Sequence, residues 1–197
     1  GYLNSRDGNY VFTVAALTNS GAERWLVTLD SLSNTRTTHW SNANALACDD
    51  AGNVCATGLF QSKMAVASLS PSGSLRWVYP PGTASSTGEG LSVICGADGN
   101  IYAAGRTSDS VSICNFTVVS LTPDGSERWV YRRNGYGAFA LGWGPDGNLY
   151  VAGDQYDSGF VVVSLRPDGT ERWTRSANSP GGGATSLAFR NDGSILA

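Results

Sequence analysis

The side chains able to do chemistry in this 197-residue chain are few, and they are of kinds that grip a ligand more readily than they break one. His39 is the only histidine, and neither a Gly-x-Ser-x-Gly elbow nor a His-Glu-x-x-His helix accompanies it, so nucleophilic triads and zinc sites lack parts. Beside it stands Trp40, outside any repeated position, and an indole there would stack on a sugar ring or a peptide, or pack a loop. Arg106, Arg133, Asp154, Tyr136 and Tyr156 complete the candidate ligand-binding set, with guanidinium and carboxylate groups for charge-assisted hydrogen bonds and phenol rings for stacking. Acidic residues cluster at Asp49 with Asp50 and at Asp154 with Asp157. Neither pair has the oxygen density of a dedicated calcium loop, and turn formation accounts for the first. Distant loops could assemble a carboxylate pair for glycoside cleavage, but nothing in the sequence selects one. No catalytic residue, metal site or cofactor is expected from this inventory.

The elements that must position these residues recur at a fixed period. Gly, two variable or acidic positions, Arg and Trp occur together at Gly21 to Trp25, Gly73 to Trp77, Gly125 to Trp129 and Gly169 to Trp173. A second turn falls between successive tryptophans, at Asp50 to Asn53, Asp98 to Asn100, Asp146 to Asn148 and Asp192 to Ser194. After each second turn comes a short strand, and the first three end in glycine at Gly58, Gly105 and Gly153. A more apolar strand then leads to the next Trp: Phe12 to Leu17, Met64 to Leu69, Phe116 to Leu121 and Phe160 to Leu165. Each unit therefore holds four antiparallel strands, A to D, and a single twisted sheet of this kind cannot cover both of its apolar faces. The sequence predicts an all-β fold, a β-propeller of four four-stranded antiparallel blades in a single domain over residues 1–197. Trp25, Trp77, Trp129 and Trp173 are assigned a structural role between blades, with Arg24, Arg76, Arg128 and Arg172 on the opposite face of strand D.

At Leu121 to Trp129 and Leu165 to Trp173 the pattern of leucine, turn, Gly, three residues and Trp resembles the PQQ-like and bacterial β-propeller repeat families. The resemblance covers nearly the whole chain and is specific for architecture. Its members include quinoprotein dehydrogenases, assembly scaffolds, sensors and secreted surface proteins, so it implies no one function. The acidic calcium ligands and the cysteine or tryptophan platform that the quinone cofactor needs have no match here.

Composition narrows the partners. The net charge is −3 and Lys63 is the only lysine, so no basic stripe exists for nucleic acid. No apolar run is long enough for a membrane span. Protein or carbohydrate is the expected partner, and composition with the family resemblance suggests an extracellular or cell-surface setting. Cys48 and Cys95 fill the slot of Trp143 and Phe189, while Cys55 fills that of Tyr102 and Tyr150. Cys48 and Cys55 are thus expected to face each other across one hairpin, as packed thiols or as a disulfide.

Both chain ends fall within strand B of the repeat. Either they meet and close a four-bladed ring, or strands from another copy or from a longer parent chain complete the split blade. The A to B and C to D turns are short and uniform, whereas the B to C and D to A connections vary, so the variable end is the expected binding face. The leading expectation is a non-enzymatic binding or scaffold module. The alternatives are a structural subunit that assembles by split-blade strand exchange, and a polysaccharide-acting propeller enzyme.

Overall fold

The computed structural model describes residues 1–4, 10–29, 41–79, 87–110, 113–177 and 182–197, and over these it contains strands and turns but no α-helix. His39 and Trp40 lie outside the described residues. The first sheet is β1 (Tyr2–Asn4), β2 (Tyr10–Leu17) and β3 (Glu23–Thr28). Three four-stranded antiparallel sheets follow. They are β4 (Asn42–Cys48), β5 (Val54–Phe60), β6 (Lys63–Leu69) and β7 (Leu75–Tyr79); β8 (Thr87–Cys95), β9 (Ile101–Ser110), β10 (Ile113–Leu121) and β11 (Glu127–Asn134); and β12 (Gly137–Trp143), β13 (Leu149–Gln155), β14 (Gly159–Leu165) and β15 (Glu171–Ser176). The chain ends in a two-stranded sheet, β16 (Ala188–Phe189) and β17 (Ile195–Leu196).

Strand order within each sheet follows chain order, as short hairpins dictate. The first strands of consecutive sheets pack on one another, β4 against β8 and β8 against β12, which gives a propeller-like arrangement with those strands innermost. The two ends of the chain do not share a sheet: β16 pairs with β17, and β2 pairs with β1 and β3.

Trp25, Trp77 and Trp129 each join one sheet to the next through the turn between its third and fourth strands. The Nε1–H groups of Trp25, Trp77 and Trp129 donate to the carbonyl oxygens of Pro71, Pro123 and Pro167, each at 3.0 Å. The indoles lie flat on the glycines of the same turns, so a Cβ on Gly73, Gly125 or Gly169 would sit 2.6–2.7 Å from indole Cδ2. Those glycines have φ of +83°, +87° and +88°, which supplies a second reason for glycine at each position. Trp129→Phe keeps most of the ring and deletes the donor to Pro167. It is expected to lower stability by about 1 kcal/mol in urea unfolding.

The expectation that the motif arginines leave the face opposite the tryptophans is corrected by the register: Arg128 is the extra residue of a bulge, and it ties its own sheet together on the tryptophan's face, where Ser120 pairs with both Trp129 and Tyr102. Arg128 Nη1 donates to Ser120 Oγ at 3.0 Å and to Tyr102 Oη at 3.1 Å, and the Tyr102 hydroxyl donates to Asp98 at 2.7 Å. Burial and the acceptor Asp98 push that phenol up to about 12. Arg172 repeats the pattern with Ser164, Tyr150 and Asp146. In the second sheet Arg76 reaches Ser68, but Cys55 stands where the tyrosine would be.

The expected facing of Cys48 and Cys55 is corrected by the register. Cys48 pairs with Val54 and Cys55 with Ala47, so the two side chains leave opposite faces of the hairpin. Cys48 is exposed, whereas Cys55 is buried with Cys95 of the next sheet in one apolar cluster. The Cys55 thiol and burial push the Cys95 thiol upward, and all four cysteines are free.

Candidate functional site

The site begins with one irregularity repeated in three innermost strands. The ladder shifts between Ala43 and Ala45, between Gly90 and Ser92, and between Ala138 and Ala140, which places an extra residue on each first strand. Opposite each bulge is the glycine that ends the sequence pattern of the second strand. A Cβ on Gly58, Gly105 or Gly153 would lie 1.9, 2.1 and 2.1 Å from the carbonyl oxygens of Asn42, Glu89 and Gly137. A bulge bends its strand and re-aims side chains, and here it does so where the innermost strands meet the variable connections.

Asn44, the extra residue of β4, points across to the next sheet. Its amide nitrogen donates to Glu89 Oε1 at 2.9 Å and to the carbonyl oxygen of Gly90 at 2.8 Å. Asn42 donates in turn to Asn44 Oδ1. From the other side Arg106 Nη2 donates to Glu89 Oε2 at 2.7 Å. Burial pushes the Glu89 carboxyl up, but hydrogen bonds from Asn44 and Arg106 and the Arg106 charge outweigh it and hold the group below its ordinary value. Because that pKa is depressed, the interaction stabilises the fold above the unfolded value near 4.5 and fades as pH falls through the folded one. Arg106→Met should therefore reduce stability at neutral pH and leave a shallower loss below pH 5, measured by thermal melts across a pH series.

Glu89 and Arg106 edge a pocket of about 390 Å³, whose other walls include Leu59, Ser62, Thr87 and Cys114. That volume is within the range of small-molecule sites. Arg106 continues the polar line toward the fourth sheet, since a Cβ on Gly137 would lie 3.4 Å from Arg106 Cβ. Gly137 pairs with Asp154 across the ladder. Asp154 Oδ1 is shielded from solvent and has no hydrogen-bond partner among the described residues. Although the residue as a whole is only partly buried, desolvation pushes its carboxyl up. A Cβ on Gly183 would sit 3.3 Å from Asp154 Cβ, so the carboxyl occupies a close space beneath that loop.

Glu89, on the innermost strand β8, and Asp154, on β13 next to the innermost strand of the following sheet, thus have pKa values displaced in opposite directions, the contrast that divides acid–base labour. Asn42, Asn44 and Glu89 offer oxygen atoms to a hard cation, but Arg106 already engages the carboxylate. Among the described residues no group of three or more histidine, cysteine, aspartate or glutamate side chains comes together to hold a metal ion.

The other sequence-selected residues are placed as follows. Arg106 and Arg133 sit in strands and not in loops, because β9 and β11 run on past their expected ends: Arg106 and Arg133 both pair with Phe116. Arg133 spans to the next sheet, donating to Thr174 Oγ1 at 2.7 Å and Gln155 Oε1 at 3.0 Å. Tyr136 and Tyr156 meet edge to face at 4.5 Å between centroids, and the Tyr156 hydroxyl both accepts from Cys114 N at 2.6 Å and donates to its carbonyl at 3.1 Å. Only Arg106 and Asp154 of the sequence-selected set belong to the polar line. Asn42, Asn44 and Glu89 were missed. Their one signal is that polar residues occupy the start of an innermost strand next to a bulge opposite glycine.

No known protein-family model matches the chain, and no curated protein matches it in sequence. Solved structures similar in fold include a protein provisionally named a gluconolactonase. It has 17% identity and a TM-score of 0.55, covering 92% of this chain and 62% of that one. Another, from Bacteroides uniformis and provisionally named a 6-phosphogluconolactonase, has 12% identity and a TM-score of 0.42, covering 98% of this chain and 75% of that one. The first likeness shows the propeller-like fold, and the second is too loose to add to it. No family match supports the PQQ-like families specifically. The expectation of a non-enzymatic binding or scaffold module is overturned here, because the fold neighbour with a TM-score of 0.55 bears the name of an enzyme.

Proposed function

We propose that the chain is the site-bearing arc of a propeller hydrolase acting on a carbohydrate-derived substrate, a sugar lactone first and a polysaccharide second. The observation that carries this reading is the shielded, unpartnered Oδ1 of Asp154, which holds in the fourth sheet the repeat position that Arg106 of the Glu89–Arg106 pair holds in the third. The gluconolactonase name of a fold neighbour supports the choice of lactone.

Opening a lactone requires a base to take a proton from water as it attacks the carbonyl carbon, a donor to stabilise the charge that develops on the carbonyl oxygen, and return of the base's proton to the ring oxygen as the ring C–O bond breaks, which leaves the hydroxy acid. A carboxyl whose pKa is raised is the better base, and Asp154 is that group. Arg106 uses one guanidinium nitrogen on Glu89 and keeps other N–H groups for the oxyanion, with Glu89 fixing its orientation. Asn44 holds Glu89 from the neighbouring sheet, so the pair is positioned across two blades.

The test is a panel of aldonolactones and of plant and bacterial polysaccharides, followed by proton release for the first and reducing ends for the second. Lactone turnover that saturates with substrate supports the reading. The absence of turnover on both arms, with the protein folded, overturns it.

A further inference from the structure

We propose that Cys55 and Cys95 are the two halves of a covalent staple, a thiol pair that an external disulfide converts into a bond between the second and third sheets. The pair stands where the repeat elsewhere places two rings. Cys55 fills the slot of Tyr102, and Cys95 fills the slot of Trp143. At the joint of the third and fourth sheets those two rings meet edge to face, with 5.2 Å between centroids. At the joint of the second and third sheets both partners are cysteine, so the substitution has been made at the two positions that touch and not at one of them alone.

The packing brings the sulfurs together. β5 lies against β8, and the two backbones approach until a Cβ on Gly90 would sit 3.0 Å from Gly58 N. Further along the same joint Cys55 is 1% exposed, and it shares with Cys95 the apolar cluster that Val66, Val93, Val119 and Leu121 build between the sheets. The two thiols are hydrogen-bonded to one another. From that contact an S–S bond of about 2 Å needs rotation of two side chains and no new strand pairing.

The two sulfurs have different parts. Cys95 is half-buried beside the turn that begins at Gly96, so it is the one that a reagent from solvent reaches. Cys55 is the one prepared to complete the bond. Its hydrogen bond with the Cys95 thiol outweighs burial and, with the Ser68 hydroxyl and the Arg76 charge, holds the Cys55 thiol below its ordinary value despite Asp49. Arg76 Nη1 is held there by Ser68 Oγ at 3.0 Å, so the guanidinium that steadies a tyrosine in the third sheet favours a thiolate in the second.

In the first step Cys95 gives its proton to solvent and attacks the external disulfide, which forms a mixed disulfide and releases one small thiolate. In the second the Cys55 thiolate attacks the Cys95 sulfur, the protein S–S bond forms, and the second small thiolate leaves and takes up a proton. Two protein thiols are oxidised and one external disulfide is reduced to two thiols. Cys48, exposed on the other face of its hairpin, takes no part. The bond ties β5 to β8, and β8 carries Glu89 near its other end, so oxidation also fixes the joint that Asn44 and Glu89 span.

The test treats the 197-residue chain with oxidised glutathione and reads linked peptides by mass and the melting temperature, before and after dithiothreitol. A Cys55–Cys95 peptide pair is expected, with a melting temperature raised by about 5 °C or more that returns on reduction. A double variant with Cys48→Ser and Cys114→Ser keeps only this pair of the four cysteines, and its free thiols should fall from two to none with no glutathione retained. Cys95→Ser should abolish both the link and the shift. Glutathione that stays on Cys95 while Cys55 remains a free thiol, two thiols that persist in the double variant, or a link that leaves the melting temperature unchanged overturns the proposal.

Discussion

Gly153→Ala is expected to lower the free energy of unfolding by about 3 kcal/mol or more, a loss that urea titration reads directly. The added methyl would lie 2.1 Å from the Gly137 carbonyl oxygen and 2.8 Å from the Phe116 ring, both in fully packed surroundings. Neither neighbour can yield cheaply, because the carbonyl belongs to the bulged innermost strand and Phe116 is 0% exposed. Gly147→Ala provides the contrast. Gly147 has φ of +72° and nothing within 4 Å of its Cβ direction, so that substitution pays only the cost of a left-handed residue, about 1 kcal/mol. If the two variants lose equal stability, crowding at the bulge is not what selects glycine in the second strand.

Asp154→Asn should cost at least about a hundredfold in kcat on whichever substrate the panel identifies, the usual worth of a general base. The same variant should be as stable as the parent at neutral pH or more so. The sign follows from the raised pKa: the folded state holds its proton more tightly than the unfolded chain, so ionisation opposes folding once pH exceeds the unfolded value. An amide is neutral at every pH and escapes that penalty while keeping the shape. The melting temperature of Asp154→Asn relative to that of the parent should therefore rise between pH 3 and 7. Loss of turnover together with loss of stability would make Asp154 a structural residue and remove it from the proposed chemistry.

The strand pattern was legible because each hairpin carries its own turn glycine and its own apolar run, both local in sequence. The inter-sheet contact of each tryptophan was legible only in part. Recurrence marked the indoles as shared by all repeats, but their partner, a proline carbonyl and glycine in the following repeat, lies 38 to 46 residues away. The candidate site was harder to read. Arg106 and Asp154 drew attention through their charge near variable connections, yet Glu89 and Asn44 stand on an innermost strand whose bulge no local pattern announces. Their pairing joins two sheets, so neither repeat alone contains it. The thiol expectation failed for a related reason. Adjacent positions in a strand alternate faces, and the pairing of Cys55 with Ala47 turned Cys55 toward Cys95 in place of Cys48.

The tryptophan-on-glycine contact has a consequence for how such a chain changes its length over generations. Since the donor half belongs to one repeat and the acceptor half to the next, a tandem duplication of any 44 to 52 residues arrives with both halves already matched to its neighbours. Lengthening or shortening the array needs no newly selected contact surface, so selection is left to act on the connections at one rim and on the residues that face the axis.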